Sequence, residues 1–427
     1  MSTIGQPERA TQNRVIALFR DELGYRYLGD WTDRDDNSNI EEGLLTAHLR
    51  RRGYAPAQIN VALYKLRTEA DNPNRSLYDN NKAIYSLLRY GVPAKIEAGQ
   101  VTETVKLINW EQPEQNDFAI AEEVTLRGNY ARRPDLVLYV NGIAVGVIEL
   151  KNSRVSLGDG IRQNISNQSK EFNAWFFSTV QFVHAGNDSE GLQYGTVGTP
   201  EKFFMKWKED EEDNSRFKLD KYLLKMCNKA RLIELMHDFV LFDGGVKKIA
   251  RYQQYYAVKA TLGRVAGLNA QGARTGGVIW HTTGTGKSLL MVILAKALAL
   301  HPAISNPRVI LVTDRVNLDA QIYRTFHNCG KAVVQATSGK HLIELVQSPG
   351  VDIIATRDEL GFEPPIVKVQ VKSKDGTVGD PEVSALYGKV SGQEFGLLVT
   401  LGTYSNQARS FAEGKSNLRL IDGGDLV

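Results

Sequence analysis

The chain has 427 residues, enough for about three domains at roughly 150 residues each. Apolar residues make up 42% and charged residues 24%, which excludes a disordered or fibrous chain, and 52 basic against 49 acidic residues (net +3) neither demand nor forbid a nucleic-acid partner, so local patches decide. The longest apolar stretch, Leu289 to Leu300, contains Lys296 and is too short to cross a bilayer; residues 1–20 lack the apolar run of a signal peptide; and two cysteines, Cys227 and Cys329, are too few for a disulfide scaffold or a cysteine zinc site, so a reducing, cytoplasmic location is expected.

In chain order, Gln12–Glu22 and Ile40–Arg51 have helical spacing. Strand-like runs follow at Gln100–Asn109, Phe118–Leu126, Leu136–Val140 and Ile143–Leu150, so the first region, to about residue 225, is expected to be α/β. The acidic run Glu209–Asp213 reads as a solvated loop. Leu223–Leu241 reads as one connecting helix, Gly276–Trp280 as a strand, Lys287–Leu300 as an apolar helix, and Arg308–Asp314 as a strand with a helix after it. That alternation is the layout of a parallel sheet. From about Val351, strands are expected at Val351–Ile354, Ile366–Lys372 and Phe395–Thr400, and a helix at Asn406–Glu413.

Residues 133–151 hold two apolar strands flanking Asn141-Gly142, a hairpin signal, with Asp135, Glu149 and Lys151 at the strand ends. Glu149 and Lys151 are two apart and share a strand face. A two-residue loop at 141–142 would set Asp135 opposite Ile148, facing away from Glu149. A three-residue loop at 140–142 would set it opposite Val147, a same-face diagonal neighbour of Glu149 roughly 7–8 Å away. Two carboxylates gripping one ion therefore predict a bulged hairpin. Such a pair offers hard oxygen ligands to Mg²⁺, which polarises a scissile phosphate and acidifies water, while Lys151 orients that water or stabilises charge building on phosphate. Glu41 or Glu42, on the second helix, is a candidate further ligand.

Pro134-Asp135 with Glu149-x-Lys151 resembles the PD-(D/E)xK nuclease core. The resemblance extends to motor subunits of type I restriction enzymes, where a glutamine on the following helix supports the nuclease site. Gln163 and Gln168 are the candidates; the family pattern continues to a tyrosine four residues on, whereas this chain has Asn167 and Phe172.

Residues 280–288, Trp-His-Thr-Thr-Gly-Thr-Gly-Lys-Ser, stand between an expected strand and a helix. Glycines there let backbone N–H groups turn toward phosphate oxygens, with Lys287 reaching the β- and γ-phosphates and Ser288 binding Mg²⁺. Thr283, Gly284, Thr285, Gly286, Lys287 and Ser288 are the expected ATP-binding residues. His281 departs from the full P-loop pattern but fits the relaxed helicase-type form. The segment Arg251 to Ala257 resembles the superfamily 2 translocase motif whose glutamine, here Gln254, reads the adenine edge. Val309 to Arg315, with Leu318 and Gln321, resembles the strand-to-helix motif that touches the nucleic-acid backbone. Phe242 to Lys248 also looks like the type I motor subunit, so the resemblance covers about residues 1–348. It implies ATP-dependent translocation on double-stranded DNA, cleavage at a distance, and modification and specificity subunits as partners.

The resemblance then breaks. A translocase needs a second acidic motif, and the one candidate, Asp358-Glu359, follows an apolar run interrupted by Thr356 and Arg357. Only 68 residues (427 − 359) come after it, too few for a second RecA-like domain, so the motor is expected to be incomplete. Instead, Gly350 to Asp358, Ile366 to Lys372, Gly396 to Gly402 and Ile421 to Gly424 resemble the core of Mrr-like restriction endonucleases. There Asp352 would be the metal carboxylate and Gln370-x-Lys372 would replace Glu-x-Lys; the rival reading is a diverged motor motif at Asp358-Glu359.

The expectation is therefore an α/β chain in three parts: a PD-(D/E)xK nuclease domain over 1–225, a linker helix with a partial RecA-like P-loop domain over 226–348, and an Mrr-like nuclease fragment over 349–427. It would be a Mg²⁺-dependent DNA endonuclease of restriction type that binds ATP with weak or no translocation. Catalytic candidates are Asp135, Glu149, Lys151, Gln163, Asp352, Gln370 and Lys372, and the metal carboxylates are Asp135, Glu149 and Asp352. The alternative is a non-catalytic fragment that binds DNA or docks into a restriction complex.

Overall fold

A computed structural model describes the whole chain except residues 1–7, 95–102, 129, 210–214, 271, 283, 305–308, 314–315, 337, 340, 343–352, 356–366, 373–375, 392–393, 401 and 423–427. The chain divides into two units, Met1–Val333 and Val334–Val427. Both are mixed α/β.

The first unit opens with α1 (Glu8–Ala17), β1 (Arg26–Asp30), α2 (Glu42–Arg51), α3 (Pro56–Ala70) and α4 (Leu77–Tyr90). A small pair, β2 (Val92–Ala94) and β3 (Glu103–Val105), precedes β4 (Phe118–Glu122), β5 (Leu136–Val140) and β6 (Ile143–Leu150). Then come α5 (Leu157–Asn167), β7 (Phe182–Asn187), β8 (Gly191–Gly195) and β9 (Met205–Lys206). The main sheet has the order β1-β4-β5-β6-β7-β8-β9. β4, β5 and β6 form an antiparallel meander. β7 lies parallel to β6, with α5 as the crossover.

β5 and β6 are buried along their whole length. Their near-continuous apolar sequence suits a sheet covered on both faces. Leu136, Leu138, Val140 and Ile148 point into the core shared with the α1, α2 and α3 side chains; Val137, Tyr139 and Val147 point into a second core with Phe176 and Phe177.

The connecting region holds α6 (Lys218–Met226) and α7 (Lys229–Asp238), not one helix over Leu223–Leu241. The chain breaks at Asn228, whose side chain caps α7 by accepting from the Arg231 N–H at 3.3 Å. A hairpin follows, β10 (Val240–Asp243) and β11 (Val246–Ile249), then α8 (Tyr252–Ala266), α9 (Lys287–Ala299) and α10 (Val316–Asn328). The expected strands at 276–280 and 308–314 are absent from the described residues, which run there without a ladder. A parallel strand is held only by neighbours, and none pairs with these segments among the described residues. Val278, Trp280 and Val312 consequently lie exposed.

The second unit contains β12 (Ile353–Ala355), β13 (Val367–Lys372), β14 (Thr377–Val378), α11 (Asp380–Tyr387), β15 (Phe395–Thr400), β16 (Thr403–Tyr404), α12 (Asn406–Glu413) and β17 (Leu418–Ile421). Its sheet has the order β12-β13-β15-β17, antiparallel at the first pair and parallel at the others. The helix expected at Asn406–Glu413 forms over those residues, capped by Ser405. No helix among the described residues is long and apolar enough to cross a membrane.

Candidate functional site

Asn141 and Gly142 join β5 to β6 with φ of 54° and 82°, the positive pair that a two-residue hairpin turn needs to match strand twist. Asn141 fixes that turn length: its side chain accepts from the Asp117 N–H at 2.7 Å and donates to the Leu107 carbonyl at 2.9 Å. Val140 thus pairs with Ile143 and Tyr139 with Ala144. The three-residue loop that the chemistry favoured does not form. The register shifts one step further along, so that Leu138 pairs with Gly146, Val137 with Val147 and Leu136 with Ile148. β6 carries one extra residue there, a bulge at Val145–Gly146. Gly146 is required at that point, since a Cβ would lie 2.9 Å from a Leu138 methyl carbon.

The bulge brings Asp135 and Glu149 to one face. One step beyond the Leu136–Ile148 pair they stand directly opposite each other, not diagonally. Asp135 Oδ2 accepts from the Leu150 N–H at 2.6 Å. α5 covers this face closely because Gly160 has no side chain; a Cβ there would be 3.3 Å from Lys151 Cγ and 3.7 Å from Glu149 Cβ. Asn167, at the end of α5, donates to Glu149 Oε1 at 3.3 Å.

Asp135, Lys151 and Gln163 line one cleft of about 410 Å³. Its other walls come from Glu8, Arg9 and Gln12 on α1 and from Glu123 and Arg133 beside the meander. Glu149 is fully buried next to it. Of the two glutamines, Gln168 is engaged elsewhere, donating to the Asn164 carbonyl at 3.1 Å and accepting from the Gly198 N–H at 2.8 Å. Glu41 is bound to Arg34 at 2.6 Å and Glu42 to Arg67, and neither lines the cleft. The helical carboxylate that does is Glu8, 3.4 Å from the Lys151 ammonium.

The electrostatics follow from burial. Burial pushes the Asp135 carboxyl up to about 6, partly opposed by the Leu150 N–H and by Lys151. Burial, then the Asp135 charge, hold the Glu149 carboxyl well above the usual range. Burial alone would lower Lys151, but Asp135, Glu149 and Glu8 outweigh it and keep the ammonium above its ordinary value. Glu149 Oε2 is buried with no hydrogen-bond partner. Such an orphaned acceptor between a second carboxylate and an ammonium fits an added divalent cation. Among the described residues no group of three or more His, Cys, Asp or Glu is arranged to hold a metal ion, so the protein's share of a coordination shell would be this pair.

At the glycine loop, Gly284 and Gly286 take φ of 81° and 83°, values open to glycine without strain. Lys287 opens α9, and its ammonium donates to the Thr282 carbonyl at 3.1 Å. Gln321 of α10 donates to the Ser288 hydroxyl at 3.1 Å. Thr285 is held by His281 at 3.1 Å and by the Thr282 carbonyl at 2.7 Å; Thr283 lies outside the described residues. Gln254 is buried, and its amide donates to the Gly286 carbonyl at 2.9 Å while its oxygen accepts from the Arg251 N–H at 2.8 Å. Its polar atoms are thus committed to the loop and to the start of α8.

In the second unit, Ile353 pairs with Val369, the residue before Gln370, as Leu136 pairs with Ile148, the residue before Glu149. Gln370 is buried and Lys372 half-buried on β13. Asp352, and the rival pair Asp358-Glu359, lie outside the described residues.

Residues 5–202 match the type I restriction enzyme R protein N terminus, residues 253–361 match the SWI2/SNF2 ATPase family, and residues 323–427 match the Mrr-type restriction endonuclease family. The chain joins an R-subunit N-terminal portion to an Mrr-like tail. A Methanocaldococcus jannaschii protein, provisionally named type I restriction enzyme MjaIXP endonuclease subunit, is 28% identical over 391 residues, covering 82% of this chain and 37% of that one. The type I restriction enzyme HindI endonuclease subunit of Haemophilus influenzae is 31% identical over 275 residues, covering 60% and 26%. The chain therefore spans 26% to 37% of the length of these two relatives. The R-subunit match contains the whole cleft, including Glu8, Arg9 and Glu123, which sequence reading passed over. Glu8 and Arg9 are more than 100 residues from Asp135 and carry no local signal; Arg133 beside Pro134-Asp135 was a visible one.

Proposed function

We propose that the R-subunit portion is a Mg²⁺-dependent DNA endonuclease of PD-(D/E)xK type, with Asp135, Glu149 and Lys151 as its catalytic residues. The observation that carries this reading is the opposed Asp135–Glu149 pair, with Glu149 Oε2 buried and without a hydrogen-bond partner, beside Lys151 at an open cleft. Asp135 and Glu149 would hold the ion, which supplies phosphate polarisation and a more acidic water when bound. Lys151, kept protonated by three carboxylates, stabilises charge on the phosphate oxygens. Gln163 contributes a neutral amide to the same cleft, suited to positioning a water or a phosphate oxygen. Asn167 orients Glu149 through its Oε1 bond.

The glycine loop with Lys287 and Ser288 would take the phosphates of ATP, in a segment of RecA-like type. That segment passes directly into the Mrr-like match, the two overlapping at residues 323–361, with no second motor domain between them. This arrangement supports reading the segment as one that binds ATP with weak or no translocation. Gln370 and Lys372, with Asp352, would form a second nuclease site in the tail. Double-stranded DNA is the substrate, modification and specificity subunits of a restriction complex are the partners, and the cytoplasm is the location.

The test is plasmid cleavage with Mg²⁺, with and without ATP, for wild type, Asp135→Ala and Asp352→Ala. Loss only in Asp135→Ala assigns the chemistry to the first site, and loss only in Asp352→Ala moves it to the tail. Undiminished cleavage by both single variants and by their combination overturns both assignments.

A further inference from the structure

We propose that Arg9 and Arg133 form a phosphate clamp that seats the DNA backbone beside the phosphate to be cut. This inference rests on the nuclease reading and adds the side chains that would hold the substrate. Both arginines line the cleft with Asp135, Lys151 and Gln163. Both are about half exposed, at 52% and 51% of the side chain, so their guanidinium groups are open to an incoming ligand.

Neither arginine is loose. Arg9 Nη1 lies 2.6 Å from Glu122 Oε2 and 3.7 Å from Glu123 Oε1. Arg133 holds Glu123 through Nε at 2.7 Å, and an arginine engaged through Nε keeps its two Nη groups for a bidentate grip on a phosphate. Gln12 fastens the two carboxylates from below, donating to Glu122 at 2.9 Å and to Glu123 at 3.0 Å. This removes much of the rotamer freedom that a long side chain otherwise loses on binding.

Glu123 carries the second observation. Its φ is 50°, a left-handed conformation that is uncommon for a residue with a side chain. Such strain persists only where the surroundings enforce it, and it gathers at functional sites. Here the Glu123 N–H donates to the Asp135 carbonyl at 3.0 Å. One strained residue therefore ties the arginine anchor to the backbone of the metal carboxylate. The cleft, at about 410 Å³, is in the range of a small-ligand pocket, not of a duplex. Arginines at its rim meet the backbone on either side of the group inside.

The test is fluorescence anisotropy of the full chain on a short labelled duplex in Ca²⁺, across a salt series, with melting temperature recorded for each variant. Arg9→Gln and Arg133→Gln should each weaken binding several-fold and flatten the salt slope by about 0.9. Arg9→Lys and Arg133→Lys keep the charge and the glutamate contact, so they should restore the slope with affinity still several-fold below wild type and an unchanged melting temperature. Folded arginine variants that bind with wild-type affinity and slope overturn the clamp. If a glutamine variant unfolds, the lysine variants decide, and wild-type affinity in them overturns it equally. Cleavage lost in Asp135→Asn while the arginine variants bind normally leaves the nuclease reading standing and the clamp refuted. A wild type that cleaves without measurable duplex binding also refutes the clamp.

Discussion

Asp135 faces Glu149 across two antiparallel strands even though the two-residue turn joining those strands would by itself set them on opposite faces. The bulge at Val145–Gly146 makes the difference, and Leu138 packs where a Gly146 side chain would go. Gly146→Val should therefore force the strands apart, costing about 1–3 kcal/mol by overpacking. Urea unfolding measures that cost. Because the bulge sets the facing of the carboxylates, cleavage should fall by more than the loss of folded protein accounts for. A variant as stable and as active as wild type would mean that the bulge does not set the site.

Burial raises the pKa of both carboxyls, and this has a signed consequence. A carboxyl whose folded pKa is raised costs stability above its unfolded pKa, and the cost grows as pH rises through the folded value. For Asp135 the window runs from about 4 to about 6, and two units correspond to at most about 3 kcal/mol. Asp135→Asn should stabilise the metal-free protein at pH 7.5, and Glu149→Gln should act in the same direction. Mg²⁺ or Ca²⁺ should raise the melting temperature of wild type and leave both variants unchanged. Calorimetry with and without the ion checks both statements at once.

His184 titrates with the opposite sign. It is fully buried on β7, with neither ring nitrogen hydrogen-bonded. Burial lowers its pKa to about 4. The unfolded chain takes up the proton first, so stability is lost as pH falls from about 6.5 toward 4, at up to about 1.4 kcal/mol per pH unit. Urea midpoints at pH 7, 6 and 5 should fall more steeply for wild type than for His184→Leu. Equal slopes would show that the ring gains a partner on protonation.

How much of this was legible depended on range. The apolar runs of β5 and β6 and the helix after the glycine loop could be read locally because each carries its pattern within a few residues. The bulge also left a local mark, Gly146 inside a strand, but the need to set Asp135 and Glu149 on one face was met in the sequence reading by a longer loop at 140–142 instead. Pro56 and Ser76 mark the starts of α3 and α4, and both helices went unread. Glu8 and Arg9 could not have been found, since only the packing of α1 beside the meander brings them to the cleft. The segments at 276–280 and 308–314 failed for the reverse reason. Their apolar pattern was correct for a parallel strand, but pairing is a property of neighbours, not of the segment.

At the glycine loop, the bonds of Gln254 distinguish two roles. Its amide holds the Gly286 carbonyl and its oxygen caps α8, the bonds of a residue that supports the loop. Gln254→Ala should lower ATP and GTP affinity together, by about tenfold for a loss of roughly 1.4 kcal/mol, whereas Lys287→Ala should abolish both. Titration of a fluorescent analogue of each nucleotide makes the comparison. A selective loss of ATP with GTP unaffected would assign Gln254 to the adenine edge instead.

Asn167 stands four residues after Gln163, where the type I pattern has tyrosine. The shorter side chain reaches Glu149 Oε1 from the last turn of α5 at 3.3 Å, and its own Oδ1 is buried without a partner. A donor on a carboxylate favours the ionised form and fixes its orientation. Asn167→Ala removes that donor, so the Glu149 carboxyl should move higher still and its hold on a divalent ion should weaken by 10- to 100-fold, the usual effect of losing such a supporting bond. Asn167→Asp also removes the donor, but a third carboxyl beside Asp135 and Glu149 attracts the ion, so the hold should weaken by less than in Asn167→Ala. Cleavage rate against Mg²⁺ concentration separates the cases: both variants should shift the midpoint upward, Asn167→Ala by more. An unchanged midpoint in Asn167→Ala would show that Glu149 is positioned by the strand alone.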